Sequence, residues 1–297
     1  MFSEFNIPEI LKTDRDGFNF LAGLWHDAKD CKENITFNFD RCKFIEVNLA
    51  AVLGAMFDRL LFNGATPYVT YPDYIGSRRS LVRTGFYKNL RDDAKNEDRE
   101  RYIPYRRFSI KESLSFKEYI HDEFTHKKRF PQCTETAELK IIEIICEVFA
   151  NAVTHGGSMY VYCCGESHER FGIPMLDMSI VNMGTTIPDL VNEHLYRTFQ
   201  KELSPCDCIH WAFKKGNTTK STPGGLGLDI LNTFITLNEG KLQMVSGTAM
   251  VDYSDGEHQF DSLDYPFPGT IVNLEINCAD NKTYDWTNDN DEQQDIF

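Results

Sequence analysis

The chain has 297 residues and a formal net charge of -14, which predicts about two domains at roughly 150 residues each. A hydrophobic content of 41% with 26% charged residues excludes a disordered chain, and the net acidity argues against general coating of nucleic acid. No apolar run approaches the ~18 residues of a membrane helix, and the N-terminus lacks the pattern of a secretory signal. Nine cysteines without regular spacing then favour reduced thiols and a cytoplasmic location.

The first third of the sequence predicts a small α/β unit. Residues 35–44 alternate apolar and polar side chains, which favours a strand, and residues 67–71 predict a second strand. Between them, apolar residues at helical spacing predict a helix that ends at Gly64. A basic helix follows over residues 77–90 and is interrupted at Gly85. This order of strands and helices indicates a parallel βαβ unit.

The same unit resembles a STAS domain, the fold of anti-sigma-factor antagonists. The resemblance rests on residues 34–105: a strand into FIEVN, a long helix, NGA before the next strand, and LVRTGF in a late helix. Family members that are switched by phosphorylation carry a Ser or Thr at the strand-to-helix junction, whereas this sequence has Glu46, Val47 and Asn48 there. The resemblance therefore implies an interaction or dimerisation domain over residues 1–105, including an N-terminal helical extension.

Residues 136–155 predict a long amphipathic helix with a polar stripe. Its polar residues recur at i, i+4 spacing and so share one helix face: Glu143, Glu147, Asn151 and His155. A solvated stripe would explain this pattern. A ligand-binding face would explain it as well, with a carboxylate to handle a proton and a carboxamide oxygen for a hard cation.

A glycine-rich region follows that helix in the sequence. Two strands are predicted over residues 158–164 and 175–182, and a glycine turn over residues 182–188 leads into another helix. Residues 216–228 (GNTTKSTPGGLGL) then form a polar loop that runs into a helix over residues 226–237. Backbone N–H groups at such a helix start favour an anion, most often phosphate. The loop matches neither the P-loop nor the G-x-G-x-x-G spacing.

The ordered set of motifs resembles the GHKL superfamily. The set is E-x-x-x-N-A on a helix, a glycine turn ending in Ile-Pro, G-L-G-L, and Gly269-Thr270 in a last strand. This superfamily shares the Bergerat ATP-binding fold of DNA gyrase, the heat-shock chaperone, histidine kinases and the mismatch-repair ATPases. The resemblance covers residues 106–278 and implies an α/β sandwich with a mixed, largely antiparallel sheet under helices. Residues 279–297 are predicted to form an acidic, solvated tail.

The GHKL resemblance implies ATP and Mg²⁺ as ligands and gives the motif residues their roles. Asn151 would bind Mg²⁺, and Glu147 would polarise the attacking water. Asn182 stands in place of the family's adenine-reading Asp, and its carbonyl can still accept a hydrogen bond from the adenine amino group. The other implied contacts to the nucleotide come from the adenine-side residues Gly184 and Thr270 and from the lid residues Lys220, Gly224, Gly225, Leu226 and Gly227.

These roles predict a slow Mg-dependent ATPase that acts as a nucleotide-driven conformational switch. Its protein partner would bind the STAS-like domain, and dimerisation would accompany lid closure as in related ATPases. Two alternatives stay open: a serine/threonine kinase of the anti-sigma-factor type, and a non-catalytic interaction module with a degenerate nucleotide pocket. A histidine kinase is disfavoured, because the surroundings of His121 and His126 do not resemble a phosphoacceptor motif. By analogy of fold, the architecture suits bacterial regulation or defence.

Two further patterns are interpreted as structural. Cys206, Cys208 and His210 lie within five residues, but zinc needs about four ligands and no second Cys/His pair is near. Residues 77–130 are basic and could contact nucleic acid, yet acidic residues are interleaved throughout. A solvated connecting region is therefore favoured over a nucleic-acid interface.

Overall fold

The structure, a computed structural model, describes residues 3–87, 100–154, 157–214, 216–219 and 227–285. The helices within these ranges are α1 (Arg15–Ala28), α2 (Ala50–Phe62), α3 (Ile75–Arg83), α4 (Ser113–Ile120), α5 (Glu135–Thr154), α6 (Ile187–Phe199), α7 (Pro205–Phe213) and α8 (Gly227–Leu237). The strands are β1 (Ser3–Asn6), β2 (Ile10–Leu11), β3 (Asn34–Asn38), β4 (Phe44–Ile45), β5 (Thr66–Val69), β6 (Tyr102–Ser109), β7 (Gln132–Cys133), β8 (Tyr160–Arg170), β9 (Ile173–Met183), β10 (Lys241–Ser254), β11 (Glu257–Asn277) and β12 (Thr283–Tyr284).

The longer strands form two sheets of different type. A three-stranded parallel sheet has the order β1-β3-β5, and a five-stranded sheet has the order β10-β11-β9-β8-β6. Every described pair in the five-stranded sheet is antiparallel, whereas the sequence had predicted a mixed, largely antiparallel sheet. The protein is therefore a mixed α/β protein with a parallel sheet near its N-terminus and an antiparallel sheet after it.

The parallel βαβ unit predicted in the first third is confirmed. Strand β3 leads through β4 to α2, and β5 returns parallel to β3. The strand predicted over residues 35–44 is shorter in the structure, since β3 ends at Asn38 and β4 pairs with β2 instead. Helix α2 ends just before Asn63, and Gly64 takes a φ of +93°, a conformation that favours glycine. Helix α3 ends at Arg83, so Gly85, with a φ of +80°, follows the helix instead of interrupting it.

Both faces of the five-stranded sheet are covered, and each carries its own apolar core. Side chains alternate along β9, so Ile180 points to one face of the sheet, here called the front face, and Val181 points to the other, the back face. Helices α4, α5 and α8 pack on the front face, and α1 and α2 pack on the back face. The sheet is thus shared by the N-terminal unit and the C-terminal helices. The domain boundary predicted at residue 105 falls inside β6 (Tyr102–Ser109), which pairs with β8.

The start of the C-terminal segment packs against the core, whereas the sequence had predicted a solvated tail. Strand β12 pairs with β7, and Tyr284 is only 2% exposed. The Tyr284 ring contacts Phe234 of α8 edge-on, with 5.2 Å between ring centroids. The prediction is wrong for these residues, because one aromatic side chain buries enough apolar surface to hold an otherwise polar segment against the core. Residues 286–297 lie outside the described ranges.

The cysteines form no disulfide bonds among the described residues. All nine are free thiols. Cys163 and Cys164 are buried on opposite faces of β8, and burial raises the pKa of both thiols. On α7, burial raises the pKa of Cys208 to about 11, so this thiol is protonated at neutral pH. Neither of the three-residue clusters that could hold a metal in the described ranges includes Cys206, Cys208 or His210.

None of the described helices is long and apolar enough to cross a membrane.

Replacing Gly165 with alanine is expected to destabilise the protein by about 3 kcal/mol, the upper end of the usual cost of overpacking. Gly165 lies in β8, and a Cβ there would overlap the carbonyl oxygen of Asp177, a backbone atom that cannot move without disturbing β9. Urea denaturation measures the loss. Gly76→Ala is the control, since a Cβ at Gly76 meets nothing within 4 Å. Equal stability of the two variants would contradict this sheet register.

Candidate functional site

Asn182 and Thr270 form the centre of the candidate site. They lie opposite each other on β9 and β11. Alternation along the strands turns both toward the front face, because Ile180 and Val272 belong to the front core. Asn182 is 5% exposed, and its Nδ2 has no hydrogen-bond partner among the described residues. An unpaired buried donor costs about 1–3 kcal/mol, so this amide is suited to bind an acceptor on a ligand.

Glycines allow a close backbone approach beside Asn182. Gly269 has a φ of +136°, and a Cβ there would overlap the carbonyl oxygen of Asn182. Only glycine fits this position. The N–H of Gly184 donates to the carbonyl of Pro268 at 3.1 Å, which ties the turn after β9 to β11. The sequence-predicted residues Asn182, Gly184 and Thr270 are therefore brought together.

Ser246 of β10 holds this region to the start of α6. Its hydroxyl donates to the carbonyl of Gly269 at 2.8 Å and accepts from the N–H of Ile187 at 2.9 Å. It also lies 3.0 Å from the Thr270 hydroxyl. Sequence reasoning missed Ser246, since a serine within a strand carries no signal of its own.

Thr186, two residues after Gly184, has a structural role at the start of α6. Its side chain caps the N-terminus of α6 by accepting from the N–H of Asp189, and the Asp189 carboxylate accepts from the N–H of Thr186. This capping box satisfies N–H groups at the helix start. Thr186 thus fixes where α6 begins.

Glu147 and Asn151 lie on the exposed face of α5. The opposite face of the helix packs into the front core through Ile141, Ile145 and Phe149. Gly157, three residues after the end of α5, lies near the glycine turn, since a Cβ there would be 3.7 Å from the Thr185 hydroxyl. Exposed side chains are expected both for a solvated stripe and for a helix face that binds a ligand, so their exposure does not distinguish these two interpretations. His155 lies outside the described residues.

Most of the implied phosphate loop lies outside the described residues. This holds for Lys220, Gly224, Gly225 and Leu226. Gly227 begins α8, as the sequence predicts for the start of a helix after the glycine-rich loop. Helix α8 packs beside α5, with Leu231, Phe234 and Ile235 in the front core. The start of α8 therefore borders the same side of the sheet as Asn182.

A second cluster, on the back face, was missed by the sequence analysis. Glu166, Asp177 and Glu275 lie directly opposite one another on β8, β9 and β11. Asp177 is 3% exposed, and burial together with the neighbouring carboxylates raises the pKa of its carboxyl well above the usual range. The only available signal was a charged residue within apolar runs, MLDMSIV and NLEIN. Neither run shows that the two strands are neighbours.

Comparison with protein-family models gives no match for this chain, and comparison with curated proteins gives none either. What the fold and the geometry define is a mixed α/β protein with a candidate ligand site on the front face of its antiparallel sheet. The site lies where β9 and β11 meet the glycine turn.

Proposed function

We propose that this protein binds Mg²⁺-ATP at the front face, in a Bergerat-type domain, and hydrolyses it slowly as a cytoplasmic, nucleotide-driven switch. The observation that carries the proposal is Asn182, a buried amide whose Nδ2 lacks a partner among the described residues. An adenine presents its amino group beside a ring-nitrogen acceptor, and a side-chain amide carries the complementary acceptor and donor. The neighbouring Gly184 and Gly269 leave the backbone free of side chains at this point.

The residues of α5 and α8 would act on the phosphates. The carboxamide oxygen of Asn151 is a suitable ligand for Mg²⁺, which when bound offsets negative charge on the phosphates. Glu147, one helical turn earlier, would accept a proton from the water that attacks the γ-phosphorus. The bond from that phosphorus to the bridging oxygen then breaks, and ADP and phosphate are the products. Gly225, and Gly227 at the start of α8, would donate backbone N–H groups to the phosphates.

The packing of the N-terminal unit supports a switch. Asn48, just before α2, donates to Ser179 of β9 at 3.2 Å and to Asn273 of β11 at 2.6 Å. The strands that carry Asn182 and Thr270 on the front face therefore contact the N-terminal unit on the back face. A shift of these strands on nucleotide binding would reach the STAS-like unit, which would bind a protein partner or a second copy of the chain.

Binding of Mg²⁺-ATP to wild type and to Asn182→Leu tests the proposal. Leucine keeps the approximate volume but removes the donor and the acceptor, so we expect ATP to bind roughly 5- to 150-fold more weakly, corresponding to about 1–3 kcal/mol. Isothermal titration with a non-hydrolysable ATP analogue measures the affinity. Thermal unfolding without nucleotide shows whether the variant is folded, and it should be at least as stable as wild type because an unpaired amide is lost.

Asn182→Asp is the matched control. Aspartate keeps an acceptor for the adenine amino group, so this variant should still bind ATP. Two results would refute the proposal: no binding by wild type, or equal affinity of wild type and Asn182→Leu. Absence of binding would favour an interaction module that acts without nucleotide.

A further inference from the structure

The back face of the five-stranded sheet carries a buried cluster with an excess of negative charge. Alternation along β8 places Glu166 and His168 on this face, with Asp177 of β9 and Glu275 of β11 beside them. Glu46, from the segment before α2, lines the same cavity as Glu166, His168 and Asp177. The cavity measures about 1060 Å³, which leaves room for a cation and its remaining water ligands. This cluster lies on the face of the sheet opposite to Asn182.

Two arginines neutralise part of this charge. Arg101 contacts Glu166 at 3.3 Å, and Arg170 contacts Glu275 at 2.5 Å. Lys128 and Arg129 line the cavity too, together with Glu100 and Glu169. Asp177 is different, because its only described ionic contact is the Nδ1 of His168 at 3.5 Å, and its Oδ1 has no hydrogen-bond partner among the described residues. A buried carboxylate in this state is expensive unless a cation compensates it.

The ligand atoms of three residues already lie close together. One atom each from His168, Asp177 and Glu275 lies within 4.8 Å of the other two. A carboxylate has two oxygens, so Glu275 can contact Arg170 and a cation together.

We propose that His168, Asp177 and Glu275 bind one divalent transition-metal ion, Zn²⁺ or Mn²⁺, on the back face of the sheet. One imidazole and two carboxylates form a mixed nitrogen and oxygen donor set, which suits these ions better than Ca²⁺ or Mg²⁺. Glu46 and Glu166 add negative charge beside the ion. Because Glu46 belongs to the N-terminal unit, the ion would stabilise the packing of that unit on the sheet. The site needs no nucleotide and goes beyond the proposed ATP site.

A second cluster serves as a comparison. His121, His126 and Glu138 also lie within ligand distance of one another. Its members have partners already, since His126 contacts Glu138 at 2.9 Å and His121 contacts Asp122 at 2.6 Å. His121 and Glu138 are only partly buried and His126 is exposed, so this cluster has no buried charge that an ion would compensate. Substitution at His126 is therefore a control for nonspecific binding to histidines.

Titration of the metal-free, full-length protein with Mn²⁺ or Zn²⁺, in the absence of nucleotide, tests the proposal. We expect wild type to bind one ion on the back face and to unfold at a higher temperature when it is bound. Asp177→Asn should weaken this binding by at least the ~10- to 100-fold that loss of a supporting residue costs. His126→Ala should bind this ion as wild type does. With Mn²⁺, the electron-spin-echo signal of a coordinated nitrogen should disappear in His168→Gln.

The possible results of this titration lead to different conclusions about the metal site. Asn at position 177 keeps the shape of the side chain, and the metal-free variant should be at least as stable as wild type, because a neutral amide replaces a buried ionisable carboxyl. Failure of wild type to bind either ion would overturn the proposal, as would unchanged binding by a folded Asp177→Asn variant. Loss of all binding in His126→Ala would assign the ion to the surface cluster instead. None of these results bears on ATP binding, which is measured separately.

Discussion

Replacing Glu147 with alanine is expected to lower ATP turnover by about 10²- to 10⁴-fold, the usual contribution of a positioned general base. Binding of ATP should persist, because the proposed adenine contact at Asn182 and the proposed Mg²⁺ ligand Asn151 are unchanged. The variant should fold normally, since Glu147 is exposed on α5 and the helix is held by its opposite face. Production of ADP from Mg²⁺-ATP measures turnover, and quantified bound nucleotide measures binding in the same samples.

Glu143→Ala is the matched control for this experiment. Glu143 lies one turn earlier on the same exposed face of α5, where it contacts Lys140 at 3.4 Å. This variant should hydrolyse ATP at the wild-type rate. Hydrolysis of ATP by Glu147→Ala at the wild-type rate would show that Glu147 has no catalytic role. Binding of ATP without turnover by wild type would instead favour a switch without hydrolysis, or a protein kinase that needs its substrate protein.

The second large effect is expected at Phe116, which holds α4 against α5. Its side chain is fully buried, stacks on Phe149 of α5 with 4.5 Å between ring centroids, and meets Phe108 of β6 edge-on at 5.3 Å. Replacement by alanine removes these contacts and leaves a cavity, so we expect a loss of about 3–5 kcal/mol in the free energy of unfolding. Denaturation in urea, followed by circular dichroism, gives this value.

Leu114→Ala provides the control on the same helix. Leu114 is 69% exposed, so its truncation should change the free energy of unfolding by less than about 0.5 kcal/mol. A similar loss in both variants would mean that α4 does not pack as described. Because Phe149 lies between Glu147 and Asn151 in the sequence of α5, a folded Phe116→Ala protein should also bind Mg²⁺-ATP less tightly.

Local patterns predicted two of the site helices closely. The predicted helix over residues 136–155 corresponds to α5 (Glu135–Thr154), and the helix after the glycine-rich loop corresponds to α8 (Gly227–Leu237). Periodicity and terminating residues act within one segment, so a single sequence is enough to place them. The meeting of Asn182 with Gly184 and Thr270 was implied by the GHKL resemblance, and the register of β9 and β11 brings these residues together. The STAS and GHKL assignments themselves stay predictions.

Other features depended on contacts between distant segments. The polar stripe of α5 identifies residues that share a face, but it does not reveal what that face meets. Tyr284 looked like part of a solvated tail until β12 was seen to pair with β7 and to place its ring on Phe234. The sequence pattern did not show that β6 joins the five-stranded sheet, because the pairing of β6 with β8 joins residues about sixty positions apart.

The sequence by itself therefore determined the mixed α/β class, the parallel βαβ unit and the elements that carry Glu147, Asn151, Asn182 and Thr270. Only the tertiary structure decided that the N-terminal unit covers the back face of the sheet and that Glu166, Asp177 and Glu275 lie side by side there. The physical reason is that side-chain alternation specifies the face of each strand, whereas the neighbour and the register of a strand depend on non-local packing. A carboxylate within an apolar strand has chemical meaning only when its cross-strand neighbours are known.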